Sequence, residues 1–142
     1  MVGPSGGVAN APAAFGATRV GDAMNGDVVS CPPDMPLRAV AALMARNRIH
    51  SVVVFDDAPE RAWGIVSDLD VVTATSGDLD AREAREVAGT PVVTVTPQEG
   101  LARAAQLMSE YQTTHLIVVD PATGRPTGVL SSLDVARVLA RT

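Results

Sequence analysis

Two serine–aspartate pairs carry the most chemistry in this 142-residue chain: Ser67 with Asp70, and Ser131 with Asp134, each inside the same phrase, Gly-x-x-Ser-x-x-Asp. A serine followed three residues later by an acid at a helix start is a capping box. The hydroxyl accepts from a free backbone N–H while the carboxylate reaches back to the serine's own N–H. The same arrangement offers a nucleoside phosphate two partners within one turn. A helix N-terminus carries partial positive charge and unsatisfied N–H groups suited to phosphate, and a carboxylate can accept ribose hydroxyls at about 1.5–3 kcal/mol per charge-assisted bond. Taken singly, most such pairs are only caps, so the residues alone leave both readings standing.

Histidine is the next candidate. His50 precedes Ser51-Val52-Val53 and His115 precedes Leu116-Ile117, so both stand at the start of an apolar run. They are one register apart, His50 aligning with Thr114 and Ser51 with His115. A protonated imidazole there would add charge beside a phosphate; a strand-end histidine bonded to backbone or water is an equal alternative. Arg48 has the same pair of readings, phosphate contact or solvated surface charge. The single Cys31 excludes an internal disulfide and cannot alone make a zinc site. It reads as a small core residue, since the equivalent position holds Val95. Asp56-Asp57 reads as a solvated turn. With no nucleophile partnered by a base, the chain is not expected to be an enzyme.

These residues are positioned by a repeat. From Val28 to Thr75 the sequence superposes on itself 64 positions later without a gap: Val28-Val29 on Val92-Val93, Leu43-Met44 on Leu107-Met108, Leu69-Asp70-Val71 on Leu133-Asp134-Val135. Each copy reads as a short apolar strand (Val28 to Cys31, Val92 to Val95), then an amphipathic helix with a Leu-Met face, then a nearly unbroken apolar strand (Ser51 to Phe55, His115 to Val119). A polar loop, a third strand ending at Ser67 or Ser131, and a closing helix (Asp68 to Ala74, Ser132 to Ala140) follow. Ahead of each first strand, Arg19 to Met24 and Asp78 to Glu86 read as a short helix. The expected division is a loose tail over 1–17, repeat 1 over 18–75, a linker over 76–81 and repeat 2 over 82–142, an α+β fold.

Composition narrows the function classes. The net charge is −5 with no basic cluster, which gives a nucleic-acid surface no electrostatic support. All 11 basic residues are arginine, a mark of GC-rich bacterial coding. Hydrophobic residues make up 46% but aromatics only 3%, so the core must be built from many small aliphatic contacts rather than around a deep catalytic cavity. The start lacks a charged segment followed by an apolar core, and no apolar run nears the roughly 20 residues that span a bilayer. A reducing cytoplasm is the expected location.

The order short helix, strand, helix, strand, strand, helix, given twice, resembles the tandem pair of cystathionine-β-synthase-type (CBS) domains. The likeness rests on Val28-Val29-Ser30 and Val92-Val93-Thr94, on the Leu-Met helices, and on the two Gly-x-x-Ser-x-x-Asp phrases. It implies two repeats packed sheet to sheet about a pseudo-twofold axis, with clefts that take AMP, ADP, ATP or S-adenosylmethionine and no obligatory cofactor. Asp70 and Asp134 would then hold ribose, Ser67 and Ser131 would lie near phosphate, Val29-Ser30 and Val93-Thr94 would read the base, and His50 and His115 would stand near phosphate. Where the family often has a proline, this chain has Val53 and Ile117, whose bulk would narrow the cleft mouth. Asp68, where repeat 2 has Ser132, adds a negative charge, so the site using the first motif is expected to be the weaker toward polyphosphates and one site to dominate. The apolar circumference of the last helix, from Leu133 to Leu139, and the family habit imply a homodimer acting on an effector protein. The alternative is a structural dimerisation or regulatory subunit with vestigial clefts.

Overall fold

The computed structural model describes residues 13–56 and 61–141. Asp57 and residues 1–12 of the expected tail fall outside these. In chain order the elements are α1 (Ala13–Ala17), α2 (Val20–Ala23), β1 (Ser30–Cys31), α3 (Leu37–Asn47), β2 (Ser51–Phe55), β3 (Ala62–Ser67), α4 (Asp68–Thr73), α5 (Ala84–Val87), β4 (Thr94–Val95), α6 (Leu101–Tyr111), β5 (His115–Val119), β6 (Pro126–Ser131) and α7 (Ser132–Ala140), with a 3-10 turn at Ala74–Ser76. The middle strands and the two long helices lie where their hydrophobic spacing put them. Only two residues of each first strand pair as regular sheet.

The strands form two sheets, ordered β1-β2-β3 and β4-β5-β6. β1 runs parallel to β2, Ser30 beside Val53; β2 runs antiparallel to β3, Ser51 opposite Ser67 and Val53 opposite Ile65. β4 runs parallel to β5 with Thr94 beside Ile117. Because side chains alternate across a strand, Val52, Val54 and Val66 share one face, and they enter a core with Leu37, Val40 and Met44 of α3. The equivalent core of the second sheet joins Leu116, Val118 and Leu130 to Leu101, Ala104 and Leu107 of α6. Each fully buried aliphatic side chain stabilises by about 1.5–3 kcal/mol, so cores poor in aromatics still hold through number.

The chain divides into two compact units, and these are not the two sequence repeats. One comprises residues 27–92 with 124–126; the other joins the described residues up to Gly26 to 93–123 and to the chain from Thr127 onward. The segment leading into repeat 1 therefore folds on repeat 2. Val20, fully buried, joins the core of α6; its N–H donates to Glu99 O at 2.9 Å, and the Leu101 N–H donates to Thr18 O at 3.0 Å. In the other unit Ala84 takes the same place, its N–H donating to Met35 O at 2.9 Å, with the Leu37 N–H on Arg82 O at 2.9 Å. Each leading segment then bridges to the last strand of its sheet at a single residue pair, Asn25 with Val129 and Gly89 with Ile65, both antiparallel.

One expectation is corrected in detail. The loose tail over 1–17 ends in a helix, α1, because Phe15 is 8% exposed within the core of α6 and α7. The linker over 76–81 is docked: Leu79 packs on the core, the Arg38 N–H donates to Leu79 O at 3.2 Å, and the Arg38 guanidinium meets Asp80 at 2.6 Å.

The exchanged segments account for both motif glycines. A Cβ on Gly128 would lie 2.6 Å from the Met24 sulfur and 2.9 Å from Asn25 O; one on Gly64 would lie 3.0 Å from Ala88 Cβ and from Thr90 Cγ2. The methionine tip can yield, but the Asn25 carbonyl is held in the bridge to Val129. Gly128→Ala is expected to destabilise the fold by about 1–3 kcal/mol, as overpacking does, read as a lower urea midpoint at unchanged m-value.

Candidate functional site

Topology gathers the candidate residues at one end of each sheet. β2 starts there and β3 ends there, so Ser51 lies opposite Ser67 at the head of α4 with His50 just before it, while Val29 and Ser30 lie on the other side of β2, Ser30 level with Val53. Ser30, Ser51 and Ser67 also share the sheet face opposite the core cluster, since Ser30 pairs with Val53 and Ser51 with Ser67. In the second sheet Val93, Thr94, His115 and Ser131 take the corresponding places. The one-residue shift between the histidines now has a structural meaning. His115 lies within β5, two residues from Ile117 and on its face, whereas His50 stands just before β2.

Both Ser-Asp pairs form complete capping boxes. Asp70 Oδ2 accepts from the Ser67 N–H at 2.8 Å, and Ser67 Oγ accepts from the Asp70 N–H at 3.2 Å. Asp134 Oδ2 accepts from the Ser131 N–H at 2.8 Å and from the Ser131 hydroxyl at 3.0 Å, and Ser131 Oγ accepts from the Asp134 N–H at 3.1 Å. One carboxylate oxygen of each aspartate is thus committed to the helix start. The other oxygen differs between copies. Asp134 Oδ1 lies 3.6 Å from the Arg137 guanidinium, its side chain 16% exposed. At the position equivalent to Arg137 stands Thr73, whose hydroxyl donates to Leu69 O and Asp70 O instead.

The first strands divide their backbone in a definite way. Val29 O accepts from the Val53 N–H at 2.9 Å, and Val93 O accepts from the Ile117 N–H at 3.0 Å. In parallel pairing alternate residues bond to the same neighbour, so the N–H and C=O of Ser30 and Thr94 face the outer edge of their sheets. Any group reading a base from these strands meets Ser30 and Thr94 by backbone, while the carbonyls of Val29 and Val93 are already engaged.

The copies differ most where the histidines were expected to act. His50 Nδ1 lies 3.0 Å from Asp68 Oδ2, with the side chains 70% and 55% exposed, and the Asp68 N–H donates to His50 O at 2.8 Å. Asp68 Oδ1 also accepts from the Leu69 N–H at 2.8 Å. In the second copy the backbone bond is kept, Ser132 N–H to Thr114 O at 2.8 Å, without the ion pair; Thr114 Oγ1 lies 2.9 Å from His115 Nδ1. The His50–Asp68 pairing and the Arg137 contact were both missed from sequence. Asp134 and Arg137 stand three apart on a helix, a spacing that signals contact, but nothing local links residues 18 positions apart.

No group of three or more metal-binding side chains occurs among the described residues. Cys31 is fully buried, as its alignment with Val95 suggested.

A family model described as "CBS domain" matches residues 20–77 and again 84–141. The chain belongs to the CBS domain family. The CBS domain-containing protein YhcV of Bacillus subtilis (strain 168) is 27% identical over 103 residues, 71% of this chain and 72% of the relative. Among solved structures, the CBS domain protein PAE2072 from Pyrobaculum aerophilum, complexed with AMP, is 29% identical with a TM-score of 0.73, covering 87% of this CBS pair and 99% of that chain. The CBS domain pair of protein MJ0100, in complex with 5′-methylthioadenosine and S-adenosyl-L-methionine, shares the fold at 21% identity and a TM-score of 0.76, covering 87% of this chain and 97% of that one. The hexameric CBS-CP12 protein from bloom-forming cyanobacteria shares it at 20% identity and a TM-score of 0.76, covering 84% and 70%. The tandem repeat read from the sequence is thus a tandem of CBS domains.

Burial, with the Asp34 carboxylate adding to it, pushes the Cys31 thiol from its ordinary 9.0 up to about 11. Because folding favours the neutral thiol, the stability this contributes is whole below pH 9 and declines as pH rises toward 11. Native protein is expected to resist a thiol reagent such as dithiobisnitrobenzoate at about pH 8 and to react fully once unfolded in urea.

Proposed function

We propose that this CBS pair is a ligand-sensing regulatory module, not an enzyme, that binds an adenine nucleotide or adenosyl compound at the Ser-x-x-Asp ends of its sheets. The observation that carries the reading is the same set of groups at one end of each sheet. An outward-facing backbone at Ser30 or Thr94 suits a base, a fixed carboxylate at Asp70 or Asp134 suits ribose, and a hydroxyl at Ser67 or Ser131 suits phosphate. AMP in the complex of PAE2072, at 29% identity, supports AMP as the first ligand to test; ADP, ATP and S-adenosylmethionine belong to the same class. In this reading Asp70 is the freer ribose acceptor, since a hydroxyl on Asp134 Oδ1 must displace Arg137.

A second reading has a specific observation in its favour. Every part of each motif already has a structural partner: the glycines face the crossing segments, and serine and aspartate cap the helices. A structural subunit with vestigial sites would keep the same residues. Thermal unfolding with and without ligand separates the two. Under the sensing reading, AMP at a hundred times its Kd adds about 2.7 kcal/mol to the stability. Asp70→Ala and Asp134→Ala each lower affinity at their own site on the order of a hundredfold, the loss of two charge-assisted bonds. No shift with AMP, ADP, ATP or S-adenosylmethionine supports the structural reading.

Either reading includes a homodimer acting on an effector protein in the cytoplasm. Among the described residues no helix is long and apolar enough to cross a membrane. Large side chains are exposed on the last helix of each copy, Leu69 and Val72 on α4 and Leu133 and Leu139 on α7, from 43% to 66%, and exposed apolar surface of this kind marks interaction sites. Light scattering is expected to give a particle of two 14.6 kDa chains, and Leu133→Glu with Leu139→Glu to give one.

A further inference from the structure

The carboxylates of Asp70 and Asp134 make the same bond to a helix start and differ in what holds the rest of each group. Asp134 is engaged at both oxygens: Oδ2 accepts from the Ser131 N–H at 2.8 Å and from its hydroxyl at 3.0 Å, and Oδ1 lies 3.6 Å from the Arg137 guanidinium. Asp70 Oδ2 accepts from the Ser67 N–H at 2.8 Å, and among the described residues Asp70 Oδ1 has no hydrogen bond or ion pair. One residue makes the difference. Three positions after each aspartate, a turn further along and on the same helix face, stands Arg137 in α7 and Thr73 in α4, and the Thr73 hydroxyl turns instead to the carbonyls of Leu69 and Asp70.

A ribose that brings its 2′ and 3′ hydroxyls to these aspartates meets two different starting states. At Asp70 the hydroxyls gain charge-assisted bonds and break no ion pair. At Asp134 they must first release Arg137, whose side chain is 63% exposed and returns to water. An adenine compound without those hydroxyls leaves the Asp134–Arg137 pair whole. The guanidinium therefore subtracts from what the ribose hydroxyls contribute at the second end.

We propose that Arg137 is a specificity-determining residue of the second motif's site: it makes that site less demanding of free ribose hydroxyls than the first. The first then selects ribonucleosides, and the second also admits adenine compounds whose ribose hydroxyls are missing. This rests on the adenosyl-binding reading above. The size of the effect follows from exposure. Asp134 is largely covered while Arg137 stands mostly in water, and an ion pair of that kind shifts an equilibrium by about two- to fivefold.

The test measures AMP and 2′,3′-dideoxy-AMP on the full chain, with amide NMR shifts of Ser67–Asp70 and of Ser131–Asp134 reporting each end separately. The two ligands share base and phosphate, so their ratio at one end cancels the other differences between the copies, His50 and Asp68 against Thr114 and Ser132. At the first end AMP is expected to bind on the order of a hundredfold tighter than the dideoxy form, the loss of two charge-assisted bonds. At the second end the ratio is expected to be smaller by about two- to fivefold. Arg137→Thr, which installs the residue the first copy carries, should raise the second end's ratio to that of the first and leave the first unchanged. Thr73→Arg should lower the first end's ratio by the same factor. Both positions are exposed, so neither substitution is expected to cost the fold. Equal ratios at the two ends of the unsubstituted chain overturn the inference and leave the adenosyl reading intact, as do substitutions that change both ligands equally. Binding of neither ligand at either end overturns the adenosyl reading and this inference with it.

Discussion

In each unit a backbone segment from outside the sequence repeat lies against a glycine of the last strand, and the rest of the structure follows from that contact. Asn25 and Val129 exchange both their N–H and C=O groups at 3.0 Å, which is possible only because Gly128 leaves no side chain between the two backbones. With the segment in place, Val20 enters the core beside α6 and Phe15 can close over it. The same contact at Gly64 seats Gly89 on β3 and Ala84 beside α3. The glycine of the Gly-x-x-Ser-x-x-Asp phrase therefore belongs to the architecture, and the serine and aspartate that follow inherit a fixed position from it.

That division of labour explains why the two motif ends are alike in geometry and unlike in chemistry. The backbone bonds are duplicated faithfully: Asp68 and Ser132 donate to His50 and Thr114 at the same 2.8 Å. α3 and α6 both stop at a residue in the left-handed region, Arg48 at φ 54° and Gln112 at φ 52°, although glycine is the residue that favours such a cap. Side chains carry little of the frame at these positions, so charge could diverge between the copies without moving a strand. Arg48 faces Gln112 across the alignment, His50 faces Thr114, Asp68 faces Ser132, and Thr73 faces Arg137.

Much of this was legible in the sequence. β2, β5, α3 and α6 follow directly from apolar spacing, and the capping boxes from Ser-x-x-Asp. The exchange of leading segments was not legible, because Val20 and Ala84 are both small apolar residues and either could fill either core; the chain alone does not say which copy receives which. The helix at Ala13–Ala17 was hidden by a stretch of Ala, Gly and Pro whose one strong burial signal is Phe15. Shared placement of Ser30, Ser51 and Ser67 could be inferred only once the pairing registers were known. The ion pair at His50 depended on a turn between β3 and α4 that brings residues of two elements together.

The interleaving of segments also fixes an order of events during synthesis. A chain leaves the ribosome N-terminal side first, so α1 and α2 emerge before the residues they pack on: Arg19 meets Gln98, 79 positions later. The unit of residues 27–92 is nearly complete when its own leading segment, Ala84 to Gly89, arrives. The other unit stays open until β6 and α7 are made, although α1 and α2 belong to it. The early helices α1 and α2 thus act as a latch that α6 and α7 close from the far side of the intervening unit in sequence.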